Sequence, residues 1–223
     1  MTKIDMIENL EAVKARMAKA AAEAERPADA ASLTVVSKTF PADRIEPVLA
    51  AGHRAFGENR VQEAQGKWPA LKETYPDAHL HLIGSLQTNK AVDAVALFDV
   101  IEVLDREKLA RALAKAMDTA DRRPDLFVQV NTGEEAQKGG VPPGEAVTFA
   151  NWCKDELNLP VIGMMAIPPA EDVPAPHFAL TAKLAAEAGL PEVSMGMSGD
   201  YDVAVQMGAT HVRVGSAIFG ARG

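Results

Sequence analysis

Residues 126–167, LFVQVNTGEEAQKGGVPPGEAVTFANWCKDELNLPVIGMMAI, contain two apolar runs separated by a segment of helical period. The runs at 126–131 and 161–167 predict strands, and the stretch 144–157 between them predicts a helix. Two strands joined by a helix pair in parallel, since the helix is needed to carry the chain back to the edge where it started.

The same alternation extends in both directions along the chain. Eight apolar runs predict strands, at 33–37, 54–57, 79–84, 99–104, 126–131, 161–167, 192–195 and 211–215. Segments of helical period lie between them, including 41–51, 59–74, 106–120, 144–157 and 176–188. Eight such units close naturally into a (β/α)8 barrel, the TIM-barrel fold that we predict. A doubly wound open sheet is the alternative, and the second and seventh strands have the weakest patterns.

A further helix is predicted before the first strand. Apolar residues recur there at helical spacing, at Ile4, Ile7, Leu10, Val13 and Met17. Thr2 and Asp5 resemble a capping box, and no apolar run reaches the length of a membrane span. We therefore expect no signal peptide and one domain over residues 1–223, in which the helical region 1–26 packs outside the barrel or across one end.

The amino-acid composition is typical of a single globular domain and disfavours some classes of partner. A chain of 223 residues with 48% hydrophobic and 24% charged residues is typical of one globular barrel. Its net charge of −8 disfavours nucleic acid and anionic membranes as partners. The lone Cys153 excludes an intramolecular disulfide, fits a cytoplasmic location and, within a predicted helix, favours a buried thiol over a nucleophile.

Lys38 follows the first predicted strand, LTVVS, at the barrel end where this fold places its functional residues. Apolar surroundings penalise an ammonium ion and so lower the pKa of a lysine. A deprotonated amine can condense with an aldehyde to form a Schiff base. A lysine that reaches out to solvent is the alternative, and Lys38 alone does not exclude it.

The loops after the last two strands, 197–200 (MSGD) and 215–217 (GSA), offer small residues, hydroxyls and backbone N–H groups. Barrels of this kind often bind phosphate at these two loops. Each loop alone fits ordinary turn chemistry, but together with Lys38 they favour a phosphorylated aldehyde as the ligand. Arg213 alternates with two valines in the last strand, so it faces away from them and requires a partner, such as an atom of a cofactor ring.

Six segments between residues 33 and 222 carry a resemblance to a known family: VVSKTFP, FGENRVQEAQGK, HLIGSLQTNK, QVNTGEEAQKGG, GMMAIPP and SMGMSGDYDVAVQMGATHVRVGSAIFGAR. The chain resembles the pyridoxal phosphate homeostasis (YggS/PROSC) family, which is similar to the N-terminal barrel of alanine racemase without its second domain. Pyridoxal 5′-phosphate (PLP) is the cofactor that this resemblance implies. The family often has Thr in place of Ser216 and Phe in place of Leu82, changes that keep a hydroxyl and an apolar wall.

The resemblance also implies roles for individual residues. Lys38 would hold PLP as an internal aldimine, and Arg213 would face the pyridine nitrogen. Ser198, Gly215 and Ser216 would bind the phosphate. The remaining residues expected around the ring are Asn59, His81, Ile83 and Met165.

Arg213 also bears on whether the chain is an enzyme. A guanidinium does not give up its proton, so the pyridine nitrogen opposite it stays unprotonated and the ring is a weaker electron sink. A racemase needs a second base, and the resemblance implies that alanine racemase takes it from a second domain, which we do not expect in this chain. Tyr75 is expected at a helix end and Tyr201 at the surface. We therefore expect no catalytic residues and no metal site.

The leading hypothesis is a PLP carrier that stores, buffers or delivers the cofactor. It would be a monomer that makes transient contact with PLP-dependent enzymes. A small PLP-dependent amino-acid racemase or lyase is the second hypothesis. A Schiff-base aldolase that binds a sugar phosphate at the same corner is the third.

Overall fold

The computed structural model describes the backbone of residues 3–220 and the side chains of residues 5–220. The predicted capping residue Thr2 and the side chain of Ile4 lie outside the described residues, as does Arg222 at the end of the last family-like segment.

Eight parallel strands form a closed barrel in which each strand pairs with its neighbours in the sequence and β1 pairs with β8. The strands are β1 Ser32–Val36, β2 Ala55–Glu58, β3 His79–Leu82, β4 Val100–Leu104, β5 Asp125–Val130, β6 Val161–Ala166, β7 Glu192–Ser194 and β8 His211–Val214. This confirms the predicted (β/α)8 barrel and excludes the open sheet. β2 and β7, predicted from the weakest patterns, are short, with four and three residues.

Ten α-helices are described between residues 3 and 220. They are α1 Lys3–Glu23, α2 Ala42–Ala50, α3 Val61–Gln65, α4 Trp68–Thr74, α5 Ala91–Leu97, α6 Glu107–Ala120, α7 Pro143–Asp155, α8 Pro174–Glu187, α9 Tyr201–Gln206 and α10 Ser216–Phe219. The single helix predicted over 59–74 is two helices, separated at Gly66 and Lys67. Pro69 favours a helix start at this point, because it lies in the first turn of α4, where proline is best tolerated.

The N-terminal helix α1 packs against α9 and α10, the helices that follow the two loops expected to bind phosphate. Leu10 is fully buried, and Asn9 Nδ2 donates to the carbonyl of Ile218 at 3.2 Å. The Arg16 guanidinium lies 5.2 Å from the centre of the Tyr201 ring. The first helix therefore packs against the two helices that follow these loops.

Within the described part of the chain, no helix has the combination of length and apolar character that crossing a membrane would require.

His53, between α2 and β2, gives the fold a testable pH dependence. Its Nε2 lies 2.8 Å from the Ala55 carbonyl and its ring meets Phe56 edge-on. Burial lowers the pKa of His53 to about 4. An unfolded histidine has a pKa of about 6.5, so between these values the unfolded state binds a proton that the folded state does not. The stability contributed by His53 is therefore complete above pH 6.5 and is lost as the pH falls towards 4.

Wild type should lose unfolding free energy as the pH falls from 7 to 5, and we predict that His53→Gln loses about 2 kcal/mol less. This amount corresponds to the roughly 1.5 units between the unfolded pKa of about 6.5 and pH 5. Urea unfolding at both pH values measures this loss. His79→Gln is the matched control, because His79 is exposed. An equal pH dependence in wild type and His53→Gln would refute the assignment.

Candidate cofactor site

A cavity of about 320 Å³ opens at the carboxyl end of the barrel strands. Seven of the nine residues predicted to bind the cofactor line it: Lys38, Asn59, Ile83, Ser198, Arg213, Gly215 and Ser216. They come from the ends of β1, β2, β3 and β8 and from the loop after β7, so the fold brings together residues that are far apart in the sequence.

His81 and Met165 are not among the described residues that line this cavity. His81 hydrogen-bonds to Glu102 inside the barrel, and it borders a second cavity at the opposite end. Met165 is fully buried. Each lies two residues before a lining residue, Ile83 and Ile167 respectively, on the same face of its strand and one layer deeper.

The sequence predictions do not include Ile167 and Phe40, which add apolar surface to the cavity, and they include Met197 only as part of the loop 197–200. The signal that could have found Ile167 is the two-residue period of a strand: once Met165 is assigned to the barrel interior, the residue two positions later faces the mouth.

Lys38 lies in the turn that follows β1 and is partly buried. The next residue, Thr39, has a φ of 68°. A β-branched residue is rarely found in this left-handed region, so the surrounding structure must hold the turn in place. One restraint is direct, because the Thr39 N–H donates to the Glu63 carboxylate.

Lys67 restrains the same turn from beneath. Its ammonium donates to the Ser37 carbonyl at 3.0 Å and to the Phe40 carbonyl at 2.9 Å, which are the residues on either side of the Lys38–Thr39 pair. The same nitrogen lies 2.9 Å from Glu58 Oε1 and 3.0 Å from Glu63 Oε1. We name Lys67, Glu58 and Glu63 the turn clamp.

Glu58 is fully buried at the end of β2. Burial raises its pKa, and hydrogen bonds from the Ser37 hydroxyl at 2.6 Å and the Trp68 indole at 3.0 Å oppose that effect, as does the charge of Lys67. All members of the turn clamp belong to the segment FGENRVQEAQGK, in which Asn59 is the one residue predicted to bind the cofactor.

The two loops predicted to bind phosphate, 197–200 and 215–217, meet at one corner of the cavity, which we name the phosphate corner. Among the described residues, the backbone N–H groups of Ser198, Gly199 and Ser216 have no acceptor. The Gly215 N–H donates to Ser198 Oγ at 3.3 Å, which links the two loops. Unengaged N–H groups and hydroxyls at one corner suit a phosphate dianion.

Two glycines permit the close packing around the cavity. A Cβ on Gly215 would lie 3.0 Å from the Val36 carbonyl, at the end of β1. A Cβ on Gly84 would lie 2.5 Å from the Asn59 carbonyl, so a larger residue would push the ends of β2 and β3 apart.

Arg213 lies on the opposite face of β8 from Val212 and Val214, as predicted. The structure shows that this face is the barrel interior, where Arg213 is 3% exposed. Its Nη2 donates to the Ala166 carbonyl at 2.9 Å and its Nη1 donates to the Ser194 hydroxyl. Burial lowers its pKa, and the charges of Glu102 and Asp200 oppose that effect. The cavity therefore has a cation at its base.

Tyr201 differs from its predicted surface position. It is 4% exposed, because α1 covers it. It does not line the cavity in the described part of the chain, and neither does Tyr75, which ends α4.

The donor set fits PLP. Lys38 supplies an amine, the phosphate corner supplies unengaged N–H groups, and Arg213 supplies a cation at the base of the same cavity. The fold and the cavity thus define a (β/α)8 barrel with a lysine at the end of its first strand and a corner of unengaged backbone N–H groups beside its last.

The model of the alanine racemase N-terminal domain family matches residues 9–223. A relative from Aquifex aeolicus (strain VF5), a pyridoxal phosphate homeostasis protein, is 38% identical over 96% of this chain and 97% of its own. The chain belongs to the alanine racemase N-terminal domain family and, within it, to the pyridoxal phosphate homeostasis proteins.

A solved structure of PipY from Synechococcus elongatus PCC7942, with PLP bound, has a TM-score of 0.76 and 36% identity, and covers 92% of this chain and 100% of that chain. Alanine racemase from Clostridium difficile 630 is also similar, with a TM-score of 0.69 and 14% identity over 86% of this chain and 52% of that chain. At this identity the second likeness shows the fold alone.

Proposed function

We propose that this chain binds PLP reversibly through Lys38 and acts in intracellular PLP homeostasis by storing, buffering or delivering the cofactor. The observation that carries the proposal is the meeting of Lys38 and the phosphate corner in one cavity. The family supports it, because relatives are named for PLP homeostasis and one structure contains PLP.

When bound, the cofactor would supply an aldehyde that a lysine amine can attack. Lys38 would hold the aldehyde carbon through Nζ, in a turn that Lys67 keeps in place. The phosphate corner would bind the phosphate through backbone N–H groups and the hydroxyls of Ser198 and Ser216. Asn59 and Ile83 would flank the ring. Met165 and His81 would support these residues from one layer below.

Arg213 would face the ring nitrogen and leave it unprotonated, because a guanidinium does not release its proton. An unprotonated ring withdraws electrons weakly, which disfavours efficient chemistry at an amino-acid α-carbon. Tyr201 packs under α1, away from the cavity lining, and so does not supply a second base there. We therefore propose a carrier and not an efficient racemase or lyase.

Deuterium exchange at the α-carbon of amino acids separates a carrier from an enzyme. In D2O, the PLP-loaded protein should exchange the α-proton of alanine no faster than free PLP at the same concentration, and ¹H NMR measures the rate. Fast exchange that disappears in Lys38→Ala would instead establish a small PLP-dependent enzyme.

We propose that the chain acts as a monomer and makes transient contact with PLP-dependent enzymes. Mixing the loaded protein with a PLP-free enzyme, together with a scavenger of free PLP, tests delivery. Recovery of that enzyme's activity despite the scavenger would support direct handover, whereas complete blockage would leave storage and buffering as the function.

A further inference from the structure

A hydrogen-bonded row of buried polar side chains crosses the barrel beneath the cavity. Its centre is Glu102 on β4, which is 0% exposed. Glu102 Oε1 lies 2.7 Å from His81 Nδ1, and Oε2 accepts a hydrogen bond from Ser194 Oγ at 2.6 Å. Arg213 Nη1 donates to the same Ser194 hydroxyl and lies 3.5 Å from Glu102 Oε2. The row thus runs His81–Glu102–Ser194–Arg213.

A buried carboxylate is costly unless charges and hydrogen bonds compensate for the lost water. Burial by itself raises the pKa of Glu102. The hydrogen bond and charge of His81, the charge of Arg213 and the hydrogen bond from Ser194 outweigh that effect and bring the pKa to about 2. Glu102 is therefore ionised at neutral pH, and it is the counter-charge within reach of the Arg213 guanidinium.

The geometry divides the Arg213 guanidinium into two sides. The inner side is held by Ser194 and by the Ala166 carbonyl, with Glu102 behind Ser194. Arg213 also lines the cavity, and we infer that it does so with the other, outer side of the guanidinium. Because the guanidinium is planar and its donors point in fixed directions, fixing the inner side also fixes the direction in which the outer side donates.

We propose that Glu102, acting through Ser194, is the positioning residue for Arg213 and thereby sets the hydrogen bond that the ring nitrogen of bound PLP receives; this rests on the proposed function. His81 completes the arrangement by occupying Glu102 Oε1, which leaves Oε2 directed towards Ser194 and Arg213. The role of His81 is thus indirect, through the carboxylate, and it makes no contact with the ring.

The test uses the full chain loaded with PLP that carries ¹⁵N in its ring. The ¹⁵N chemical shift of the ring nitrogen reports its hydrogen bond directly, which a general loss of stability would not change. Borohydride reduction and mass analysis of a second portion establish that the ring is attached to Lys38 in each variant.

In Glu102→Gln and in Ser194→Ala, we expect the ¹⁵N resonance to move downfield, towards a pyridine nitrogen without a donor. We also expect the dissociation constant to rise about tenfold, as the loss of one charge-assisted hydrogen bond would cause. In the double variant, the ¹⁵N resonance should move no further than in Glu102→Gln, because Glu102 and Ser194 act on Arg213 through the same series of hydrogen bonds. Ser194→Ala keeps the test decisive if Glu102→Gln does not fold.

Thr34→Val is the matched control. Thr34 pairs with Arg213 across β1 and β8, and its buried hydroxyl has no hydrogen-bond partner among the described residues. The ring ¹⁵N resonance of PLP bound to Thr34→Val should coincide with that of PLP bound to wild type. Resonances of Glu102→Gln and Ser194→Ala that also coincide with wild type, in protein loaded on Lys38, would overturn the positioning role alone. Failure of wild type to load on Lys38 would overturn the proposed function instead.

Discussion

Replacing Lys38 with alanine is expected to remove all covalently held PLP. The visible absorption of the lysine-bound cofactor should disappear, and borohydride should trap no adduct. The reason is chemical: Lys38 brings an amine to the cavity, and in the proposed function this amine would bond the aldehyde carbon of PLP.

Weaker, non-covalent binding should remain in Lys38→Ala, because the phosphate corner does not depend on the lysine. Absorption spectra during titration with PLP measure both components. Lys115→Ala is the control, since Lys115 is exposed on α6. An unchanged visible spectrum in Lys38→Ala would show that another group holds the cofactor.

Replacing Lys67 with methionine is expected to lower the free energy of unfolding by about 3–5 kcal/mol. Breaking a buried ion pair by removing one partner leaves an uncompensated charge, with a cost of this size. Here the charge left behind would be Glu58, which is 0% exposed. Urea unfolding at pH 7 measures the change.

Lys72→Met is the matched control for that variant. Its ammonium lies 2.6 Å from Asp99 Oδ2, but both side chains are more than 20% exposed. A partly exposed pair contributes about 1 kcal/mol or less. We expect Lys67→Met to lose clearly more unfolding free energy than Lys72→Met. Adding Glu58→Gln to Lys67→Met should restore part of that free energy. Equal losses in the two single variants would contradict this expectation.

Much of the fold could be predicted because parallel strands that are covered on both faces appear as continuous apolar runs. Each observed strand begins and ends within two residues of its predicted bounds. The break between α3 and α4 was also visible in principle, since Gly66 and Pro69 mark it. A proline alone does not predict such a break, because Pro47 lies inside α2 without ending it.

The site was predicted less completely. The alternation of a strand gives the face of a side chain but not its depth, so His81 and Met165 were expected at the ring although both lie one layer below the lining residues. The Glu102–Ser194 hydrogen bond joins residues 92 positions apart, and only closure of the barrel brings them together. No local pattern in the sequence indicates that contact. The residues around Tyr201 predict a surface position. Its burial depends on the packing of α1 across α9, which the local sequence does not indicate.

The most direct test of the central claim is reduction of the wild-type, PLP-loaded protein with borohydride, followed by digestion and mass mapping. We expect one reduced adduct, on the peptide that contains Lys38. Modification of a different lysine, or no modification in protein that retains PLP, would contradict it.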